Sequence, residues 1–160
     1  MKIKKFILYD VGIIILLFLV DRITKNYIFK QSQDNPNFSL EIAPFLDLSL
    51  VWNKGIAFGL LAFEDGYIYN LISFFIIIII LVVFFLIFKE KQFKKYFLIL
   101  ICGGALGNLY DRFSYGSVID FIDLNYNNFH WFIFNVADIF ITIGVICLIL
   151  DEILLGKKNR

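Results

Sequence analysis

YIYNLISFFIIIIILVVFFLIF, from Tyr67 to Phe88, is an apolar run without one charged residue, and about 20 such residues in a helix cross the roughly 30 Å of hydrocarbon in a bilayer. Three runs of similar length flank it: Phe6 to Phe29, Tyr96 to Phe113 and Trp131 to Leu155. With 60% hydrophobic residues, a mean hydropathy of +0.80 and only two prolines in 160 residues, the composition leaves the range of soluble domains. The expected fold is an all-α polytopic membrane protein: a single membrane-embedded domain over 1–160, with four transmembrane helices at about 6–29, 67–88, 96–113 and 131–155. A small extracytoplasmic β-containing segment at about 30–66 completes it.

Charge placement orients these spans. Of the 15 Lys and Arg, ten lie at Lys2, Lys4 and Lys5, at Lys89, Lys91, Lys94 and Lys95, and at Lys157, Lys158 and Arg160. The positive-inside rule puts those three segments, and so both termini, in the cytoplasm. The formal net charge of +1 carries no message about nucleic acid. MKIKK followed by Phe6–Val20 has the outline of a signal peptide, but no small-x-small site follows, and DRITKNYIF continues the helix. In the outer segment, Leu48–Trp52 is apolar and β-prone, while Gly55 and Gly59 punctuate WNKGIAFG. Trp52, Tyr67, Tyr69 and Trp131 fall where outer-interface aromatics are expected.

Against this apolar background the acids stand out. Asp111, Asp120, Asp123 and Asp138 lie in GGALGNLYDR, VIDFID and FNVAD, and a carboxylate facing lipid costs about 2.5–3.5 kcal/mol on insertion scales. At 1.5 Å per residue, Asp21 is about 22 Å from Phe6, Asp111 about 22 Å from Tyr96 and Asp138 about 26 Å from Leu155. Three helices thus bring acids to one level near the outer edge. Asn108 precedes Asp111, and Asn135 precedes Asp138, at the same three-residue step, which puts each pair on one helix face. In VIDFID, Asp120 and Asp123 share a face if the segment is helical and point apart if it is extended. Asp21 and Lys25, one turn apart, suit a structural ion pair.

Two aspartates held close cannot both ionise easily; they share a proton, one serving as base toward water and the other as acid. Other hydrolytic chemistry lacks its parts. His130 is the only histidine and has no suitably spaced serine, no lysine adjoins a serine at that depth, and Cys102 and Cys147 sit inside spans without metal-ligand spacing. No metal or cofactor is expected. A different reading, a small proton-coupled membrane transporter or channel subunit, requires carboxylates spread across the membrane; a structural membrane adaptor explains the spans but not the Asn/Asp spacings.

DRITK, NKGIAFG, GGALGNLYDR, VIDFID and FNVAD, in this order, resemble the bacterial lipoprotein signal peptidase (signal peptidase II) family over essentially the whole chain. The resemblance implies an intramembrane aspartic endopeptidase. It would cleave the signal peptide from diacylglyceryl-modified prolipoproteins on the N-terminal side of the lipidated cysteine, at the outer face of the bacterial cytoplasmic membrane. By family matching the catalytic pair is Asp120 and Asp138; the residues alone leave Asp111 equally eligible. Asn53, Asn108, Asp111, Arg112 and Asn135 become substrate-binding or supporting residues, and Asp21 and Lys25 structural ones. The implied partners are lipidated prolipoproteins and membrane lipids, with no nucleic acid, and the protein is expected to be a monomer. The segment around WNKGIAFG is expected to cradle or cover the substrate.

Overall fold

The computed structural model describes residues 2–55, 66–90, 93–127 and 129–155. Among these residues four helices, α1 (Lys2–Asp34), α2 (Gly66–Lys89), α3 (Lys94–Tyr115) and α4 (Val136–Leu155), are joined to four strands, β1 (Ser39–Ala43), β2 (Leu46–Asn53), β3 (Val118–Tyr126) and β4 (Phe129–Phe134). The strands form one antiparallel sheet in the order β1-β2-β3-β4. The β content is therefore larger than a small outer segment, and the all-α description gives way to a helix bundle carrying a sheet. VIDFID is extended and pairs with β2, Val51 opposite Asp120 and Asp47 opposite Asp123. Phe129–Phe134 closes the sheet as its edge, so Trp131 lies in a strand and α4 starts at Val136.

Among the described residues one helix, Tyr69–Lys89 with a mean hydropathy of 3.6, is by itself long and apolar enough to cross a membrane. The others carry charges, and along the middle of α1 the structure turns these inward. On α1, Asp10, Asp21, Arg22 and Lys25 are buried while Ile15, Leu16, Leu19, Ile23 and Tyr27 are exposed. That distribution inverts the usual one, in which Lys, Arg and Asp are almost never fully buried unless paired.

Helix α3 lies at the centre and packs against α1, α2 and α4. Its close approach to α4 depends on Gly104: a Cβ there would stand 2.5 Å from the Ala137 carbonyl oxygen. Ile14, Ile80, Ile87, Leu98, Ile99 and Cys102 form the apolar core between α1, α2 and α3, and Ile28, Ile119 and Phe121 seat the sheet on the C-terminal end of α1. Gly116, left-handed at φ 67, ends α3 and donates its N–H to the Arg112 carbonyl at 3.2 Å. This glycine cap lets the chain turn directly into β3.

Gly104→Ala should destabilise the protein by about 1–3 kcal/mol, because the obstructing atom is backbone and cannot swing away. Gly12→Ala, where a Cβ meets nothing within 4 Å, should be neutral or slightly stabilising. Thermal unfolding of the two purified variants in one detergent checks the contrast.

Candidate active site

Four buried charged side chains meet where α1, α3 and α4 converge. Arg22 donates to Asp111 at 2.5 Å and to Asp21 at 2.7 Å, and the Lys25 ammonium lies 3.1 Å from Asp21 and 2.8 Å from Asp111. Asp21, Lys25 and Asp111 are fully buried and Arg22 is nearly so. Two positive and two negative charges cancel, which is what makes such burial tolerable. The rings of Tyr110 and Phe18 lie 4.8 and 5.9 Å from the Arg22 guanidinium. Lys25 thus pairs with Asp21 as its one-turn spacing suggested, and with Asp111 besides.

The cluster also fixes backbone. The free oxygen of Asp21 accepts the Ala137 N–H at 3.0 Å, and Asp111 accepts the Ile119 N–H at 3.2 Å. Each pinned amide is the immediate neighbour of another acid, Asp138 in the first turn of α4 and Asp120 in β3.

Those two aspartates are dressed by asparagines. Asp120 accepts from the Asn53 side chain at 2.8 Å and from the Asn135 side chain at 2.6 Å. Asp138 accepts from the Asn108 side chain at 2.8 Å and from the Asn135 backbone N–H at 3.2 Å, while its own N–H donates to the Asn135 side-chain oxygen at 3.0 Å. Asn135 therefore touches both acids. Asn108 faces the other way as well, its oxygen accepting from Lys25 at 2.8 Å. Asp120 is 2% exposed; burial, and then the nearby Asp138 charge, push its carboxyl up to about 7, although the two amide donors oppose the shift. An apolar groove of about 210 Å³ opens beside Asp138, lined by Phe132, Phe134, Ile139, Thr142 and Ile143.

The residues picked out by sequence thus divide into two layers. Asn53, Asn108, Asp120, Asn135 and Asp138 come together around the acid pair, whereas Asp21, Lys25 and Asp111 sit in the charge cluster behind it. Arg112 turns away from Asp111 and donates to the Gly55 carbonyl, and Gly55 donates its N–H to the Asn53 side chain at 2.8 Å. Asp123 points to the opposite face of β3 and pairs with His130 at 2.6 Å. Residues 56–59 of WNKGIAFG, on which the substrate-cradling expectation chiefly rests, lie outside the described residues. Sequence reading missed Arg22; an arginine in the middle of an apolar run is itself a costly residue and was the available signal.

The chain is similar to known proteins in sequence and in fold. Residues 13–154 match the family described as signal peptidase (SPase) II. The chain is 49% identical over 158 residues to a lipoprotein signal peptidase of Pelagibacter ubique (strain HTCC1062), covering 99% of this chain and 95% of that protein. It is 42% identical to the lipoprotein signal peptidase of Sulfurihydrogenibium sp. (strain YO3AOP1), covering 98% of each. A bacterial membrane enzyme solved by the in meso method at 2.3 Å superposes with a TM-score of 0.75 at 31% identity, over 97% of this chain and 93% of that one. A second, at 1.9 Å, gives 0.72 at 34%, over 93% and 94%.

Lys25→Met should cost about 3–5 kcal/mol, since it leaves two carboxylates facing one buried guanidinium. The double variant Lys25→Met/Asp21→Asn should regain part of that loss. Thermal midpoints of both in the same detergent test whether charge balance, and not the lysine stem, supports the cluster.

Proposed function

The chain belongs to the signal peptidase II family, and from that premise we propose that this bacterial membrane peptidase, which cleaves signal peptides from prolipoproteins, is an intramembrane aspartic endopeptidase using Asp120 and Asp138. The observation that carries the proposal is Asn135, one residue hydrogen-bonded to both buried carboxylates. The cut falls on the N-terminal side of the lipidated cysteine.

The environments of the two acids divide the labour. Asp138 sits in the first turn of α4, where the helix dipole favours negative charge, and receives donors from Asn108 and the Asn135 backbone. It is the base. Asp120, whose proton is held up to about 7, is the acid. Water attacks the scissile carbonyl carbon as Asp138 takes one of its protons and Asp120 gives its proton to the carbonyl oxygen. The tetrahedral intermediate then collapses: the C–N bond breaks, Asp138 passes its proton to the departing amine, and Asp120 recovers a proton from the hydroxyl. Asn53, Asn108 and Asn135 hold the two carboxylates in register, and Arg112 helps to bind the substrate.

Four transmembrane helices, with both termini in the cytoplasm and the sheet on the extracytoplasmic side, suit this chemistry. The inward-turned charges of α1 and the apolar side chains on its outer face support the spans that hydropathy alone does not pick out. The substrate's own signal peptide is a membrane helix, so it arrives laterally, and the apolar groove beside Asp138 suits that approach. One chain supplies every residue of the site, as a monomer requires. A proton relay would need acids spaced across the bilayer, whereas these gather at the joint of bundle and sheet.

Asp120→Asn and Asp138→Asn should each remain inserted and folded yet lose cleavage of a purified diacylglyceryl-modified prolipoprotein by at least about a thousandfold; near-normal turnover by either would defeat the assignment. The pH profile supplies a second test. Because Asp120 must hold its proton to act as the acid, kcat/KM should fall as pH rises through about 7. A profile flat to pH 9 would remove Asp120 from that role.

A further inference from the structure

Arg112 is only 6% exposed, and among the described residues no carboxylate lies within ion-pair distance of its guanidinium. Its Nη2 donates to the Gly55 carbonyl, but Nε and Nη1 are buried without an acceptor. A buried cation in this state is costly unless something else stabilises it. The group that faces it is the ring of Tyr69 on α2, whose centroid lies 5.3 Å from the guanidinium carbon. The Tyr69 hydroxyl donates at 3.2 Å to the Arg112 carbonyl, the same oxygen that accepts the Gly116 N–H at the end of α3. One side chain from a different helix thus grips Arg112 at both ends, the ring on its charge and the hydroxyl on its backbone.

From Arg112 the contacts run on to the acid pair. Gly55 receives the guanidinium on its carbonyl and gives its N–H to Asn53, whose amide holds Asp120. We propose that Tyr69 is a positioning residue for this peptidase: it holds the Arg112 guanidinium so that the unpartnered Nε and Nη1 donate to a carbonyl oxygen of the substrate flanking the cut. The inference rests on the peptidase reading above and adds to it a residue outside all five motifs. Tyr69 does not touch substrate; it acts through Arg112. A flanking carbonyl is held alike before and during bond cleavage, so this contact governs KM more than kcat.

The test uses the full chain in detergent with a diacylglyceryl-modified prolipoprotein. Tyr69→Leu, which removes ring and hydroxyl, should raise KM about tenfold with kcat within about twofold, in the range expected for a desolvated cation–π contact. Tyr69→Phe keeps the ring and should recover most of that loss. In an Arg112→Gln background, Tyr69→Leu should add no further loss, as expected for two residues acting as one unit. A drop in kcat with KM unchanged, or a Tyr69 effect of full size in the Arg112→Gln background, overturns the proposal. If Tyr69→Leu does not fold, Tyr69→Gln is read by the same criteria. Absence of cleavage by the unmodified chain would sink the peptidase reading itself, whereas unmodified activity with Tyr69→Leu indistinguishable from it would sink only this inference.

Discussion

The buried cluster of Asp21, Arg22, Lys25 and Asp111 is the constraint on which the remaining structure depends. Its charges cancel, so it can lie inside a bundle whose outer surface is hydrocarbon-like. A cluster short of one member would carry an uncompensated charge in a low-dielectric interior. Its oxygens also reach the backbone at Ala137 and Ile119. One network therefore pins the second residue of α4 and the second residue of β3, each immediately before an acid of the proposed pair.

Between the cluster and the acids stand amides instead of further ions. Asn108 accepts from Lys25 and donates to Asp138, so the lysine acts on that acid through a neutral residue. Asn53 and Asn135 donate to Asp120 in the same manner. Had a cation contacted Asp120 directly, its carboxyl would be drawn down and its proton lost. Amide donors fix position while leaving burial and the neighbouring acid to raise proton affinity. In the proposed mechanism, this division between a charged support and a neutral inner layer is what leaves one carboxyl free to keep its proton.

Much of this was legible in the residues. The apolar runs overlap the four helices, although the last run begins in β4, and the three-residue steps pick out Asn108 and Asn135, both of which bond Asp138. The helical rise puts Asp21, Asp111 and Asp138 at one level, and in the structure the cluster joins the first two while Asp21 bonds the residue before the third. What stayed hidden depends on pairing across long separations. VIDFID is too short for its periodicity to choose between helix and strand, and its strand character comes from β2, some seventy residues earlier. Asp111 and Asp120 looked alike in sequence because nothing local says that Arg22, 89 residues away, will claim the first. Likewise Arg112 adjoins Asp111 in the chain yet is directed to Gly55.

The acid pair joins two kinds of scaffold, Asp138 on a helix and Asp120 on a strand, so its geometry is only as rigid as the joint between bundle and sheet. Ile28, Ile119 and Phe121 bury apolar surface there, but such packing is non-directional and tolerates small slides. The Asp111–Ile119 and Asp21–Ala137 hydrogen bonds are directional, and Asn135 spans the remaining interval by bonding both acids. A displacement of about 1 Å is enough to cost a hundredfold in rate. Directional bonds at both starts and a bridge between the acids are therefore what a site divided between strand and helix requires. This also explains why so many polar groups are gathered at one joint in a chain that is 60% hydrophobic.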